Sequence, residues 1–192
     1  MKKLLSALLL VTTVSAWADT NNSLGISYAL RDSIAGDKDR PNRQGYNLVY
    51  AHRFNSNWAA DVNQQFRTER LNTEDGNNDL RLETGVTYTQ AVIDKVSLYT
   101  RGALGYRFTS TVDHTYYSVE PGIRYQVTDP LNVRMGWRYR DSFNDTFNFQ
   151  THTVRVAAEY LLTKEDLLTI GVDRFYGDSE TMGYNLGYVH RF

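Results

Sequence analysis

Arginines and carboxylates recur along this chain at alternate positions, in short runs whose intervening residues are apolar. In LNVRMGWRYR, residues 131–140, Arg134, Arg138 and Arg140 share one parity with Asn132 and Gly136, while Leu131, Val133, Met135, Trp137 and Tyr139 share the other. A guanidinium stays charged at any accessible pH and presents a planar fork of donors to carboxylate, sulfate or phosphate. Several on one wall make either a path for anions or, with acids opposite, a set of buried braces. A period of two belongs to a β-strand, so this chemistry is presented from a sheet.

The same alternation returns about ten times, at residues 23–31, 43–54, 58–67, 80–89, 96–108, 117–126, 131–140, 152–160, 167–176 and 182–192. No helical segment accompanies these strands to cover their apolar faces, and an apolar face without a protein partner must meet lipid. The predicted fold is therefore all-β: a transmembrane antiparallel up-and-down β-barrel of about ten strands, with Trp137 toward the bilayer and Arg134, Arg138 and Arg140 toward the lumen. Connections alternate between short and mostly longer, as a barrel with both ends in the periplasm requires. Phe54, Trp58, Tyr160 and Phe192 are placed near one rim and Phe66, Tyr106, Trp137 and Tyr139 near the other, forming two aromatic girdles. Pro121, which cannot donate to a ladder, is the weakest point of the strand assignment.

Lys2 and Lys3, the apolar run 4–14 and Ala16-Trp17-Ala18 read as a cleaved secretory signal peptide, residues 1–18, leaving 19–192 as one outer-membrane barrel domain. Mean hydropathy is negative, and no later stretch approaches the roughly 20 apolar residues of a helical span, which leaves a barrel untouched. The formal charge of -1 becomes -3 once Lys2 and Lys3 are removed, which excludes a simple polyanion-binding surface and so a nucleic-acid partner. There is no cysteine, so neither disulfides nor thiolate chemistry arise. The closing segment 187–192 alternates and ends in Phe192, resembling the terminal strand that outer-membrane proteins present to the barrel-assembly machinery. Outer-membrane lipid, that machinery and a small anionic solute are the expected partners, in the outer membrane of a Gram-negative bacterium.

Sorted by parity, the lumen receives twelve arginines: Arg31, Arg53, Arg67, Arg81, Arg101, Arg107, Arg124, Arg134, Arg138, Arg140, Arg155 and Arg191. Five acids stand against them, Asp61, Glu83, Glu120, Glu159 and Asp173, an excess of seven positive charges. The solute path is placed on Arg81, Arg101, Arg124, Arg134, Arg138, Arg140 and Arg155, with Asp61, Glu83, Glu120 and Glu159 as the acids able to neutralise it. If the acids pair off most of the arginines, the barrel is braced and closed. If they do not, the unpaired arginines line an anion-preferring pore, a reading supported by the inward glycines and alanines, which leave space beside the charges. Neither a cofactor nor a metal site is indicated. Four histidines, at 52, 114, 152 and 190, give no preferred catalytic pair, although His114 and His152 with Asp113 and Asp141 fall near the longer loops. The protein is expected not to be an enzyme. The competing reading is a non-conducting structural or adhesive barrel.

At YSVEPGIRYQVTDPLNVRMGWRYR, residues 117–140, the chain resembles the oligogalacturonate-specific porin family of the KdgM type, which includes a sialic-acid channel. The turn V-T-D-x-L at 127–131, the R-Y-R at 138–140 and the HRF at 52–54 carry the resemblance, about a quarter of the chain. It implies a monomeric twelve-stranded porin admitting acidic sugars or oligosaccharides along arginine-lined walls, with Arg138 and Arg140 as the residues carried over by motif. This chain is shorter. Either its barrel is narrower, which disfavours oligomers before monomers, or a further hairpin lies within 141–150.

Overall fold

The computed structural model describes residues 21–33, 43–69, 78–109, 112–143, 150–177 and 180–192. They form ten antiparallel strands: β1 (Asn22–Ser33), β2 (Arg43–Arg53), β3 (Trp58–Glu69), β4 (Asn78–Ile93), β5 (Val96–Phe108), β6 (His114–Gln126), β7 (Leu131–Ser142), β8 (Thr151–Leu161), β9 (Asp166–Gly177) and β10 (Thr181–Arg191). Each strand pairs with its neighbours in sequence, and β1 pairs with β10, so the sheet closes on itself and leaves no edge. The seam runs from Ser23 opposite Arg191 to Ser33 opposite Thr181. Because β7 pairs directly with β8, from Leu131 opposite Tyr160 to Arg140 opposite Thr151, the connection between them adds no stave to the ring. The barrel thus has ten strands and not twelve. Residues 1–18, read above as a signal peptide, and most of the longer loops lie outside the described residues.

The wall is apolar outside and polar within. Ile26, Val62, Leu104, Met135, Ile170 and Leu186 are at least half exposed, while Arg81, Glu83, Glu120, Arg138 and Arg140 are at most 4 % exposed. At about 25 cal/mol per Å² of apolar surface, a continuous outward band of this kind is stable only against hydrocarbon. Tyrosine and tryptophan gather at its two margins: Trp58 packs on Tyr88 with ring centroids 4.8 Å apart at one, and Trp137 packs on Tyr139 at 6.3 Å at the other.

Four short turns share one end with the chain's last residue. Asn55 Oδ1 accepts the amides of Asn57 and Trp58 at 2.9 and 3.0 Å, a side chain closing its own turn. Thr163 Oγ1 does the same for Glu165 and Asp166 at 3.1 and 3.0 Å. Between β4 and β5 the pairing shifts at Ala91 and Ile93, and Lys95 takes a φ of 65°, so this turn is tighter than the gap 90–95 left between the predicted strands.

Pro121 is accommodated without a slip. On the β5 side it stands opposite Thr100, whereas on the β7 side the ladder lapses between Val119–Tyr139 and Gly122–Gly136 and resumes in the same register. The missing donor thus costs a gap of two positions and leaves every side chain on its expected face. Inward residues are odd-numbered on β5 and even-numbered on β6, as the predicted lumen set of Arg101, Arg107, Glu120 and Arg124 requires, with Arg101 opposite Glu120.

Candidate functional site

The lumen is built asymmetrically. From β4 through β9, long charged side chains cross the wall and meet one another; on β1, β2 and β10 the inward positions between the arginines at the strand ends, Arg31, Arg43, Arg53 and Arg191, are small, valine or amide-bearing. Between the halves runs a cavity of about 360 Å³. Its lining reaches from Arg31, Arg43 and Arg67 near the long-loop end to Thr89, Leu167 and Val189 near the short-turn end.

Two ion-pair chains organise the charged half. In the first, Arg101 of β5 reaches over β4 to Asp61 of β3, with Nε–Oδ1 2.9 Å and Nη2–Oδ2 2.6 Å, and its Nη1 holds Glu83 Oε1 at 2.6 Å. Glu83 also receives Arg140 Nη2 from β7 at 3.3 Å. The crossing over β4 is possible because Gly85 lies beneath the guanidinium: a Cβ there would meet Arg101 Nη2 at 2.6 Å. In the second, Arg155 of β8 holds Glu120 of β6 at 2.9 Å and Asp173 of β9 at 3.2 Å. Glu120 further accepts the Tyr99 hydroxyl at 3.3 Å. The Tyr99 ring lies flat over the glycines of β6 and β7, where a Cβ at Gly122 would be 2.3 Å from its Cζ and one at Gly136 2.4 Å from its hydroxyl. These inward glycines are therefore not free volume, as their spacing beside arginines suggested; neighbouring side chains fill them. Gly25, Gly45 and Gly183, on the opposite half, do line the cavity.

Toward the long loops, Asp79 binds Arg81 at 2.9 Å and Arg107 at 3.0 Å, and Arg140 lies over the Tyr116 ring at 4.7 Å. Asp79 falls outside the predicted strand 80–89. It belongs instead to β4, whose first residues continue the inward parity of Arg81; the sequence Asn77-Asn78-Asp79 reads locally as a turn and conceals the strand. Arg43 was likewise omitted from the inward set and lines the cavity. Adding one arginine and one acid leaves the excess at seven.

The seven arginines placed on the solute path thus divide by environment. Arg81 and Arg140 stand behind the cavity lining, locked to Asp79 and Glu83. Arg101 and Arg155 border the cavity while each holds two acids. Arg124 and Arg134 share Glu159 at 3.6 and 3.7 Å, beyond hydrogen-bond length, with side chains 38 % and 35 % exposed. Arg138 borders the cavity at 4 % exposure, and its Nε has no hydrogen-bond partner among the described residues. Of the four acids, Asp61, Glu83 and Glu120 are tightly paired; Glu159 alone is stretched between two cations.

Two further cavity arginines lack an acid partner among the described residues. Arg67 donates to Gln65 Oε1 at 3.0 Å and leaves Nη1 without a partner there. Arg31 lies over the Phe175 ring, 3.5 Å from its centroid. Buried guanidiniums without counter-charge are costly, and anions entering the lumen would meet them directly.

The histidines do not assemble a site. His114 faces inward and is buried, whereas His152 is on the lipid-facing parity, stacked on Trp137 at 5.6 Å. His52 and His190 bond Asn22 and Asp166 at 2.9 Å each, at the turn end. Asp141, just beyond the predicted strand 131–140, lies in β7 and accepts the Tyr139 hydroxyl at 2.7 Å. No group of three metal-ligating side chains occurs among the described residues.

Among solved structures, the chain is similar to neisserial surface protein A (12 % identity, TM-score 0.45, covering 89 % of this chain and 96 % of that one). It is also similar to the NanC porin (8 %, 0.49, 88 % and 100 %) and the KdgM porin (16 %, 0.44, 88 % and 99 %). No curated protein sequence matches significantly. The family model of the outer membrane protein beta-barrel domain matches residues 4–160. With its closed ring of ten strands, its lipid-facing apolar band and that match, the chain belongs to the outer membrane protein beta-barrel domain family and resides in the outer membrane of a Gram-negative bacterium.

Proposed function

We propose that this protein is a channel for passive passage of small anionic solutes, with no catalytic role. The observation that carries the reading is the cavity lining itself: Arg31, Arg67 and Arg138 border it without an acid partner among the described residues, and Arg124 and Arg134 divide one distant carboxylate. A sealed, self-neutralised barrel would pair these charges first. The R-Y-R match to oligogalacturonate-specific porins supports acidic sugars as the solute class, and a cavity of about 360 Å³ in a ring of ten strands favours single units over oligomers. The protein acts as a monomer, inserted by the barrel-assembly machinery through the strand that ends at Phe192.

The test is single-channel recording in a planar bilayer under a salt gradient. The expected reversal potential reports anion over cation preference. A unit charge about 6 Å from a passing ion in a water-filled lumen is worth about 0.7 kcal/mol, so Arg134→Gln and Arg138→Gln should each lower the preference about threefold. Absence of current in any salt would instead support the non-conducting structural or adhesive barrel.

A further inference from the structure

We propose that the long-loop half of the lumen contains one resident site for a phosphoryl group, formed by Arg31, Arg67 and Arg138, and that the solute is a small phosphate monoester of a hydroxyl-bearing body. This rests on the channel reading and narrows its chemistry.

The three guanidiniums border one cavity and come from β1 and β3, which flank β2, and from β7, four strands away from each around the ring. Each has donors to spare. Arg138 is nearly buried with Nε unpartnered among the described residues, Arg67 has Nη1 in the same condition, and Arg31 lines the cavity with its guanidinium over the Phe175 ring. The nearby acids are committed elsewhere: Asp79 holds Arg81 and Arg107, Asp61 and Glu83 hold Arg101, and Glu120 holds Arg155.

A monocarboxylate supplies one charge and two oxygens in a plane, which satisfies one fork or two. A phosphoryl group carries about -1.5 to -2 near pH 7 and three acceptor oxygens arranged tetrahedrally, matching donors that arrive from three strands. The rest of the solute meets a neutral wall. Asn63 lines the same cavity and its buried Oδ1 has no partner among the described residues, so it lacks a donor such as a solute hydroxyl. Asn47 and Ser27, hydrogen-bonded to each other at 3.0 Å, and Asn185 complete a surface of amides and hydroxyls. A cavity of about 360 Å³ holds one such molecule.

The experiment is calorimetric titration of the purified, folded full-length protein in detergent with inorganic phosphate, glycerol phosphate, glycerate and succinate. Glycerol phosphate and glycerate present similar hydroxyl-bearing bodies and differ chiefly in the acid group. Glycerol phosphate is expected to bind at least about tenfold more tightly than glycerate, because it makes more charge-assisted bonds. Its affinity should fall between pH 8 and pH 5 as the phosphoryl group loses its second charge near pH 6. Arg138→Gln should weaken it about tenfold or more, and Arg67→Gln serves if that variant does not fold. Glycerate or succinate binding as tightly as glycerol phosphate, no binding of any of the four, or affinity unchanged in a folded arginine variant would each overturn the proposal. Binding is read without conductance, so the site can fail while the channel stands, and the absence of current in a bilayer counts against the channel separately.

Discussion

Tyr99 is held against the wall by two glycines, and replacing one of them should convert the ring into an obstruction. In Gly136→Ala the new Cβ would sit 2.4 Å from the Tyr99 hydroxyl but 3.3 Å from Glu120 Oε1 and 3.4 Å from the Pro121 carbonyl, so the hydroxyl bears nearly all of the conflict. Restoring an ordinary contact of about 3.4 Å moves the hydroxyl by about 1 Å. With β6 and β7 beneath it, the ring can move only toward the lumen. Its hydrogen bond to Glu120, already 3.3 Å long, then breaks. That loss costs about 1 kcal/mol, and a strained χ angle adds about 0.5–1.5 kcal/mol, for a total of about 2 kcal/mol. The urea midpoint of the folded barrel should fall accordingly. Single-channel conductance should drop in Gly136→Ala, rise above wild type in Tyr99→Ala, and recover in the double variant, where the clash has no second partner. Conductance equal to wild type in both single variants would show that the ring does not limit the aperture. A Gly136→Ala protein as stable as wild type would refute the geometry itself.

Glu83 is the hub of the longer ion-pair chain, and Glu83→Gln should destabilise the barrel by about 3 kcal/mol, the lower range for breaking a buried pair, because Arg140 loses its close carboxylate while Asp61 still holds Arg101; a loss below about 0.5 kcal/mol in urea unfolding would place the brace elsewhere. Leu104, 57 % exposed in the middle of β5, should tolerate arginine poorly, at about 2–4 kcal/mol in a lipid bilayer. A neutral result there would argue against the assigned lipid-facing parity.

The fold was legible because a barrel writes its two environments into alternate residues. Lipid on one face and a polar lumen on the other act on every strand, so periodicity alone separates Met135 and Trp137 from Arg134 and Arg138. Strand ends were less legible. Asn78 and Asp79 have turn chemistry, and Asp141 and Ser142 lie beside a loop rich in phenylalanine and asparagine; yet in all four the closed ladder overrides local preference. Pro121 tested the opposite conflict, and there the ladder yielded for two positions while the register held.

What parity cannot reveal is who meets whom across the ring. On residues 131–140, Arg134, Arg138 and Arg140 look equivalent, three guanidiniums on one face of one strand. Closure makes them different. Arg140 is caught by Glu83 from a strand three places away, Arg134 shares Glu159 with Arg124, and Arg138 falls between these contacts with no acid within ion-pair distance among the described residues. The partners are fixed by chords through the lumen and by which intervening position is glycine, and both are set by the whole ring of ten strands. Neutralising Arg140 therefore removes a brace, whereas neutralising Arg138 removes a charge an anion can use. The sequence could count the excess of seven cations; only the closed barrel decides which of them remain available to a solute.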